Sequence, residues 1–184
     1  VKETKVEDLK EKIDDKDGTN AKQAPSPTRV EYGERFTKVN GKKALKPNIE
    51  YIDANNYKYV TDDKGRIVSV QGVLIKQKGK RNLYAQRTVG GADRKDYDDG
   101  GHLIGTQFNG SGNIDNLVPQ NQFINRSNGQ WYNMEKKWAK ALDKDKRVEV
   151  DIKVIYNSSS VRPDSFEVTY FINGKRHLEI IPNP

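Results

Sequence analysis

The sequence predicts an α+β protein in which antiparallel strands pack against one main helix. Residues 148–156 and 166–172 alternate apolar with mostly polar side chains, which is typical of strands with one buried face. Within residues 128–144, large apolar side chains recur at helical spacing, as Trp131, Met134, Trp138 and Leu142. Segments of these two kinds predict a helix packed on an antiparallel sheet.

The first strands lie in the middle of the chain. Residues 57–61 and 66–74 are rich in Val, Ile and Tyr and flank turn residues at 62–65, so they predict a β-hairpin. We interpret residues 82–89 as a further strand or extended segment. Residues 90–101, with four glycines, are interpreted as a loop.

The second half of the chain carries the main helix and the C-terminal strands. The apolar run at residues 117–119 is interpreted as the end of a strand. Asn128 is a suitable cap for the helix that follows it. Further on, Asn173-Gly174 is typical of a type I′ turn, so residues 175–181 predict a last strand in a hairpin.

The N-terminal quarter is expected to differ from the rest. Residues 1–45 predict a charged extension, and the folded domain is placed at residues 46–184. A short amphipathic helix is expected at residues 6–13. Residues 14–27 hold few apolar side chains and so cannot offset the entropy of ordering, which is typical of a linker.

Charge and composition restrict the chemistry. The net charge of +7 and isoelectric point near 9.4 favour a nucleic acid or an anionic membrane as partner, beside the plain alternative of a soluble basic protein. The absence of cysteine excludes disulfides and cysteine-containing zinc sites, so a metal would rely mainly on oxygen ligands, which suits Mg²⁺, Ca²⁺ or Mn²⁺. No membrane span or signal peptide is visible, and the start at Val1 leads us to expect a fragment or processed product.

The segment from Tyr97 to Lys140 concentrates residues that phosphodiester cleavage needs. An imidazole such as that of His102, with an ordinary pKa near about 6.5, can take a proton from the attacking water at neutral pH. General-base help gives only about 10²–10⁴-fold, so a divalent cation at the phosphate is needed for much of the remainder. Since Mg²⁺ often takes only one or two protein oxygens, one His, one Asn and one Glu suffice.

These residues follow one another in a recognisable order. His102 ends Asp99-Gly100-Gly101-His102, the segment Asn116-Leu117-Val118-Pro119-Gln120 follows, and then come Asn125 and the helical Glu135. The order resembles the DNA/RNA non-specific endonuclease family, which has the ββα-metal (His-Me finger) fold. That family carries a D-R-G-H motif, an Asn-x-x-Pro-Gln strand, an Asn five residues later and a Glu in a helix. The resemblance implies a ββα-metal core on the antiparallel sheet.

The resemblance also implies a role for each residue. His102 would be the general base of a Mg²⁺-dependent endonuclease, with Mn²⁺ or Ca²⁺ as alternative ions. Asn125 would bind the metal through its amide oxygen, and Glu135 would hold a water on the metal or orient Asn125. Three further side chains would support the site: Asp99, Asn116 and Gln120.

Two departures from the family pattern stand out. The arginine of D-R-G-H is replaced by Gly100, so its positive charge must come from elsewhere. Arg87, Arg94 and Arg126 are the candidates for binding nucleic acid in its place, and Arg94 is also a candidate catalytic residue. The interval from Asn125 to the helical glutamate is about two residues longer than in better-known members.

A narrower resemblance covers residues 47–172. It is to C-terminal nuclease toxin domains of polymorphic toxins, which Gram-positive bacteria secrete through the type VII system. It rests on the hairpin at 57–70, on Gly90-Gly91-Ala92-Asp93-Arg94, on the Asp-Gly-Gly-His form and on Arg162-Pro163-Asp164-Ser165-Phe166. It implies a domain of a larger secreted protein that acts in the cytoplasm of a target cell. It also implies an immunity protein, which we expect to be acidic.

The sequence therefore leaves three alternative functions open. The first is an endonuclease toxin domain that cuts DNA, with RNA as a further substrate. The second keeps the same chemistry in a DNA-uptake or scavenging nuclease. The third is a nucleic-acid-binding module without turnover, which only the charge supports.

Overall fold

The computed structural model describes residues 26–184, so the predicted helix at 6–13 and most of the predicted linker lie outside the described residues. The strands are β1 (Thr28–Arg29), β2 (Phe36–Val39), β3 (Lys42–Leu45), β4 (Ile49–Ile52), β5 (Lys58–Thr61), β6 (Ile67–Val73), β7 (Asp98–His102), β8 (Leu117–Asn121), β9 (Val148–Ile155), β10 (Ser165–Ile172) and β11 (Lys175–Pro182). The helices are α1 (Leu83–Thr88), α2 (Gln122–Asn125) and α3 (Gln130–Asp143). Short 3₁₀ turns lie at Tyr32–Glu34, Gly91–Asp93 and Ile114–Asn116.

A seven-stranded sheet forms the body of the domain. Its order is β1-β4-β5-β6-β9-β10-β11, and every neighbouring pair is antiparallel except β1 with β4. Helix α3 packs its apolar face on this sheet, where the Trp131 ring meets Phe166 at 5.0 Å and the Trp138 ring meets Tyr170 at 5.6 Å. The predicted α+β class with one main helix is confirmed.

Several local predictions were wrong. Residues 82–89 form helix α1 rather than a strand, because the Asn82 side chain accepts a hydrogen bond from the Ala85 backbone at 3.0 Å and starts a helical turn. The cap of α3 is Gly129, not Asn128, because Asn128 has a φ of 70° and a cap needs extended backbone. The loop predicted at 90–101 ends earlier, since Asp98 already belongs to β7.

The other turns match their predictions. Strands β5 and β6 form the expected hairpin, with a bulge beside Thr61. Asn173 and Gly174, with φ values of 47° and 80°, connect β10 to β11. No helix within residues 26–184 has both the length and the apolar composition that crossing a membrane requires.

Three short strands precede residue 46. Strand β1 adds to the edge of the main sheet beside β4, and β2 pairs with β3. Arg35 is buried and donates from Nε to Asp115 at 3.1 Å, just ahead of β8. The domain start at residue 46 stays a prediction.

A separate two-stranded hairpin, β7 with β8, positions the site. Its register pairs Asp99 with Gln120 and His102 with Leu117. Helix α1 packs on β7, and α2 continues directly from the end of β8. The hairpin, α2 and the start of α3 therefore bring parts of the segment 98–135 close together.

Candidate active site

A cleft of about 930 Å³ opens between α1, the β7–β8 hairpin and the α2–α3 region. The side chains predicted to act meet there: His102, Asn125 and Glu135 all line it. Four arginines and two carboxylates line the same cleft: Arg81, Arg87, Arg94, Arg126, Asp99 and Glu135. The formal charge of these side chains is therefore positive, which suits an anionic ligand.

His102 ends β7 and is partly buried in the cleft wall. Its Nε2 atom is buried and has no hydrogen-bond partner among residues 26–184. Burial, and then the positive charge of Arg81, lower the pKa of His102 to about 4. The imidazole is therefore neutral at physiological pH, the form that can accept a proton.

Asn125 is held by a carboxylate of the hairpin. Its Nδ2 donates to Asp99 Oδ2 at 3.0 Å, and Arg126 donates to both oxygens of the same carboxylate, from Nη2 at 2.7 Å and from Nε at 3.0 Å. Partial burial acts to raise the pKa of Asp99, but the hydrogen bonds from Arg126 and Asn125 outweigh it and hold the pKa below its ordinary value. Because Nδ2 is engaged, the amide oxygen of Asn125 is the atom left for a ligand.

Glu135 projects from α3 towards the loop that follows His102. Glycine at position 105 leaves room for its carboxylate, since a Cβ there would lie 2.5 Å from Glu135 Oε2. Burial raises the pKa of Glu135 to about 8, against the opposing charge of Arg81. A buried carboxylate is costly without a partner, so a cation bound beside Glu135 would stabilise its charged form.

The donor set suits a hard cation with a largely aqueous shell. Within residues 26–184, no group of three or more His, Cys, Asp or Glu side chains is arranged to hold a metal. The cleft offers instead one amide oxygen, from Asn125, and one carboxylate, from Glu135. Magnesium keeps several waters and binds through one or two protein oxygens, so these residues fit it.

Two of the predicted supporting residues, Asn116 just ahead of β8 and Gln120 within it, differ in their contacts. Asn116 is fully bonded: its Nδ2 donates to Ile104 O and Ser111 O, both at 2.8 Å, and its Oδ1 accepts from Ile104 N at 2.9 Å and Tyr59 OH at 3.0 Å. It thereby fixes the loop just beyond His102. The Gln120 side chain is buried, and neither of its amide atoms has a partner in the described part of the chain.

The arginines fall into two groups. Arg94 donates to the carbonyl oxygens of Gln86 at 2.7 Å and Asp98 at 2.9 Å, so its guanidinium ties α1 to β7. Arg126 is engaged by Asp99, as described above. Within residues 26–184, Arg87 and Arg81 are exposed and make neither an ion pair nor a side-chain hydrogen bond.

Arg81 was not among the sequence-based candidates. It lies just before the cap of α1, and its charge acts on both His102 and Glu135. Because residues 82–89 were interpreted as a strand, nothing in the pattern pointed Arg81 into the cleft. The available signal was the cap residue Asn82, which marks a helix start and so a change of chain direction.

A steric constraint explains why residue 100 is a glycine in this chain. A Cβ at residue 100 would lie 2.5 Å from the Gln86 Cα and nearer still to the Gln86 carbonyl oxygen, both on the backbone of α1. A side chain at this position would therefore start inside α1. The arginine expected from the resemblance has no room while α1 is in place.

A buried ion pair anchors the start of β7. Arg162 donates to Asp98 from Nε at 2.7 Å and from Nη2 at 2.8 Å, and both side chains are almost inaccessible to water. Arg162 also donates from Nη1 to Asn183 O at 2.9 Å. The C-terminal segment and Arg162 thus hold the start of β7, the strand that ends in His102.

Comparisons with known proteins agree with this architecture. Residues 47–174 match the family described as DNA/RNA non-specific endonuclease. The chain is 48% identical over 167 residues to the type VII secretion system protein EssD of Staphylococcus aureus, in strains USA300 and NCTC 8325. The alignment takes in 88% of this chain but 27% of EssD, so the chain spans about a quarter of the length of these curated relatives.

Solved nuclease structures share the fold. NucA from Streptococcus agalactiae with magnesium ion bound has a TM-score of 0.58 at 24% identity, with 80% of this chain and 82% of that chain covered. The Sda1 nuclease with bound zinc ion has a TM-score of 0.54 at 13% identity, with 78% and 76% covered. The ββα-metal architecture on an antiparallel sheet is confirmed.

Proposed function

The chain belongs to the DNA/RNA non-specific endonuclease family, and we propose that it is a metal-dependent, sequence-nonspecific endonuclease that hydrolyses the phosphodiester bonds of DNA. The observation that carries this proposal is that His102, Asn125 and Glu135 line one basic cleft. RNA is a second substrate to test, because contacts to phosphates are shared by both nucleic acids.

His102 is the proposed general base. Its neutral ring takes a proton from the attacking water, which makes the water a stronger nucleophile towards phosphorus. Because Nε2 is buried, we assign this proton transfer to Nδ1. The pairing of β7 with β8 fixes the backbone position of His102 in the cleft wall.

Asn125 and Glu135 are the proposed metal-holding residues. The hydrogen bond to Asp99 leaves the Asn125 Oδ1 atom as a ligand oxygen. Glu135 would hold the ion directly or through water. When bound, Mg²⁺, with Mn²⁺ and Ca²⁺ as alternatives, would supply charge neutralisation at the phosphate that is cleaved.

Arg81 and Arg87 are the proposed phosphate-binding side chains. Both are exposed at the cleft and uncommitted within residues 26–184, so binding a phosphate breaks no protein contact. Arg94 and Arg126 stay predictions as nucleic-acid or catalytic residues. Their guanidinium groups already bridge protein atoms, and this favours a role in positioning the site.

One set of assays tests the proposal. Purified protein is incubated with plasmid DNA and with RNA, with Mg²⁺ or with chelator, beside the His102→Ala and His177→Ala variants. We expect cleavage only with metal and a loss of roughly 10²–10⁴-fold in His102→Ala, the usual share of a general base. His177 stacks on Tyr170 away from the cleft, so His177→Ala should cleave normally. Full activity of His102→Ala would refute the proposal, and binding without cleavage would favour a binding module.

The likeness to EssD extends the proposal to biology. We propose a toxin domain of a larger protein that a Gram-positive bacterium secretes through the type VII system and that acts in the cytoplasm of a target cell. Expression of the domain in a susceptible bacterium should degrade its chromosome and stop growth, while His102→Ala is tolerated. Harmless expression of the active protein would contradict this and leave an uptake or scavenging nuclease.

We also propose an acidic immunity protein as a partner. The cleft is lined by four arginines against two carboxylates, so an acidic surface complements it. The product of the neighbouring gene should bind the domain, block cleavage, and bind more weakly as salt rises. Unchanged cleavage in its presence would count against this partner.

A further inference from the structure

Exposed aromatic rings occur on or beside the elements that form the cleft. In the described part of the chain, four aromatic side chains are more than a third exposed: Tyr84 (70%), Tyr97 (38%), Phe123 (74%) and Tyr132 (38%). All four lie on, or one residue from, the elements that form the cleft walls: α1, β7, α2 and α3. An exposed aromatic ring that lines a cleft is suited to contact a bound ligand.

Tyr132 is the ring that lines the cleft itself. It lies three residues before Glu135 on α3, so the two side chains occupy the same face one turn apart. Its neighbour Trp131 takes the core position, together with Met134. Among residues 26–184 the Tyr132 hydroxyl has no side-chain hydrogen bond and its ring no aromatic partner. No side-chain hydrogen bond or aromatic contact in the described residues therefore explains the position of the Tyr132 ring.

The cleft offers a partner for each part of a nucleotide. Arg81 and Arg87 present uncommitted guanidinium groups, which suit the phosphates. Tyr132 presents a ring face within one helix turn of the proposed metal-holding carboxylate, which suits a base. Stacking on an aromatic ring tolerates any base, because every base has a π-face, so it is compatible with cleavage that ignores sequence.

We propose that the cleft prefers single-stranded nucleic acid, with a base beside the cleaved phosphate stacked on Tyr132. In a duplex the base faces are covered by neighbouring pairs, and exposing one costs unstacking energy. In a single strand the faces are free to stack on a protein ring. The proposal rests on the function proposed above and names the substrate form that the same site selects.

Binding without cleavage is the first test. Affinities are measured in chelator, by fluorescence anisotropy, for one labelled oligonucleotide as a single strand, as a duplex and as a fully abasic strand. The wild type should bind the single strand most tightly. Tyr132→Ala should lose about 5-fold or more on that strand, since base stacking contributes about 1–3 kcal/mol, but should lose little on the duplex or the abasic strand.

Two variants separate stacking from a general effect of substitution. Tyr132→Phe keeps the ring and should bind as the wild type does. Tyr97→Ala removes a ring of equal exposure that does not line the cleft and should also bind normally. Equal losses of Tyr132→Ala on all three ligands, or equal wild-type affinity for strand and duplex, would overturn the proposal.

The readouts keep this inference apart from the proposed function. Cleavage assays with Mg²⁺ should show the same preference in kcat/KM, carried by KM in Tyr132→Ala. If the binding pattern holds and the protein cleaves nothing, the proposed nuclease function fails and the single-strand site stands. If cleavage occurs equally on strand and duplex, and the ring substitution changes neither, the single-strand site fails and the nuclease stands.

Discussion

Substituting Gly100 by alanine should displace α1 and weaken both stability and cleavage. The added Cβ would lie 2.5 Å from the Gln86 Cα, whereas carbon atoms pack at roughly 3.5 Å or more, so α1 must retreat by about 1 Å. Because the obstacle is backbone, no side-chain rotation relieves it. Overpacking of this kind costs about 1–3 kcal/mol. The shift also strains the hydrogen bond from Arg94 to the Gln86 carbonyl.

Urea unfolding and cleavage kinetics measure the two effects. Gly33→Ala is the matched control, because a Cβ there meets nothing within 4 Å, and its stability should stay within about 0.5 kcal/mol of the wild type. Cleavage by Gly100→Ala should fall by up to about 100-fold, since α1 adjoins Arg81 and an ångström of misplacement can cost that much. Gly100→Arg, which restores the D-R-G-H pattern, should be at least as unstable. Wild-type stability of Gly100→Ala, or a gain of activity in Gly100→Arg, would refute the steric reasoning.

Three further changes test other parts of the site. Asp99→Ala frees the Asn125 amide and should weaken the apparent Mg²⁺ affinity of cleavage by about 10–100-fold. Asp99→Asn keeps one acceptor oxygen and should weaken that affinity less. Equal losses of Mg²⁺ affinity in the two variants would argue against orientation of Asn125 by hydrogen bonding. Arg162→Met leaves Asp98 buried without its partner and should lower the free energy of unfolding in urea by about 3–5 kcal/mol. Adding Asp98→Asn to the same chain should recover part of that loss. If the two losses of unfolding free energy simply add in the double variant, the pairing is refuted. His102 has a folded pKa of about 4 against an unfolded value near 6.5, so the unfolded state binds more protons between these values and stability falls as pH drops through that window. From pH 7 to pH 5 the wild type should lose about 2 kcal/mol more than His102→Gln, and equal losses would show that the ring titrates normally when folded.

Much of the fold could be predicted from periodicity, because the relevant faces are buried. The alternation in residues 148–156 and 166–172 corresponds to β9 and β10, whose inward side chains meet α3. The helix predicted at 128–144 differs from α3 only at its ends. At the start, the positive φ of Asn128 makes Gly129 the capping residue. The main error, at 82–89, arose because a six-residue helix shows less than two turns of periodicity, and a capping side chain decides its start.

The candidate site could be predicted only as a set of residues, not as an arrangement. The order of His102, Asn125 and Glu135 along the chain implied convergence, and the structure places all three in one cleft; their roles stay predictions. The parallel pairing of β1 with β4 and the position of Arg81 depend on long-range packing, which a local pattern does not contain. Exposure is also a tertiary property, so Trp131 and Tyr132 look alike in sequence although one is buried and the other lines the cleft.

Gly100 and helix α1 are best understood as one structural unit. The backbone of α1 occupies the space that a side chain at residue 100 would need, so the helix and an arginine at that position exclude each other. The same helix ends near Arg87 and follows Arg81, and both face the cleft. The positive charge that the family motif places in the hairpin is absent here, and Arg87 on α1 and Arg81 just ahead of its cap place positive charge at the cleft. A double variant that removes Arg81 and Arg87 should therefore bind phosphate poorly, and an arginine added at residue 100 should not restore binding, because it displaces α1 and so disturbs the cleft wall.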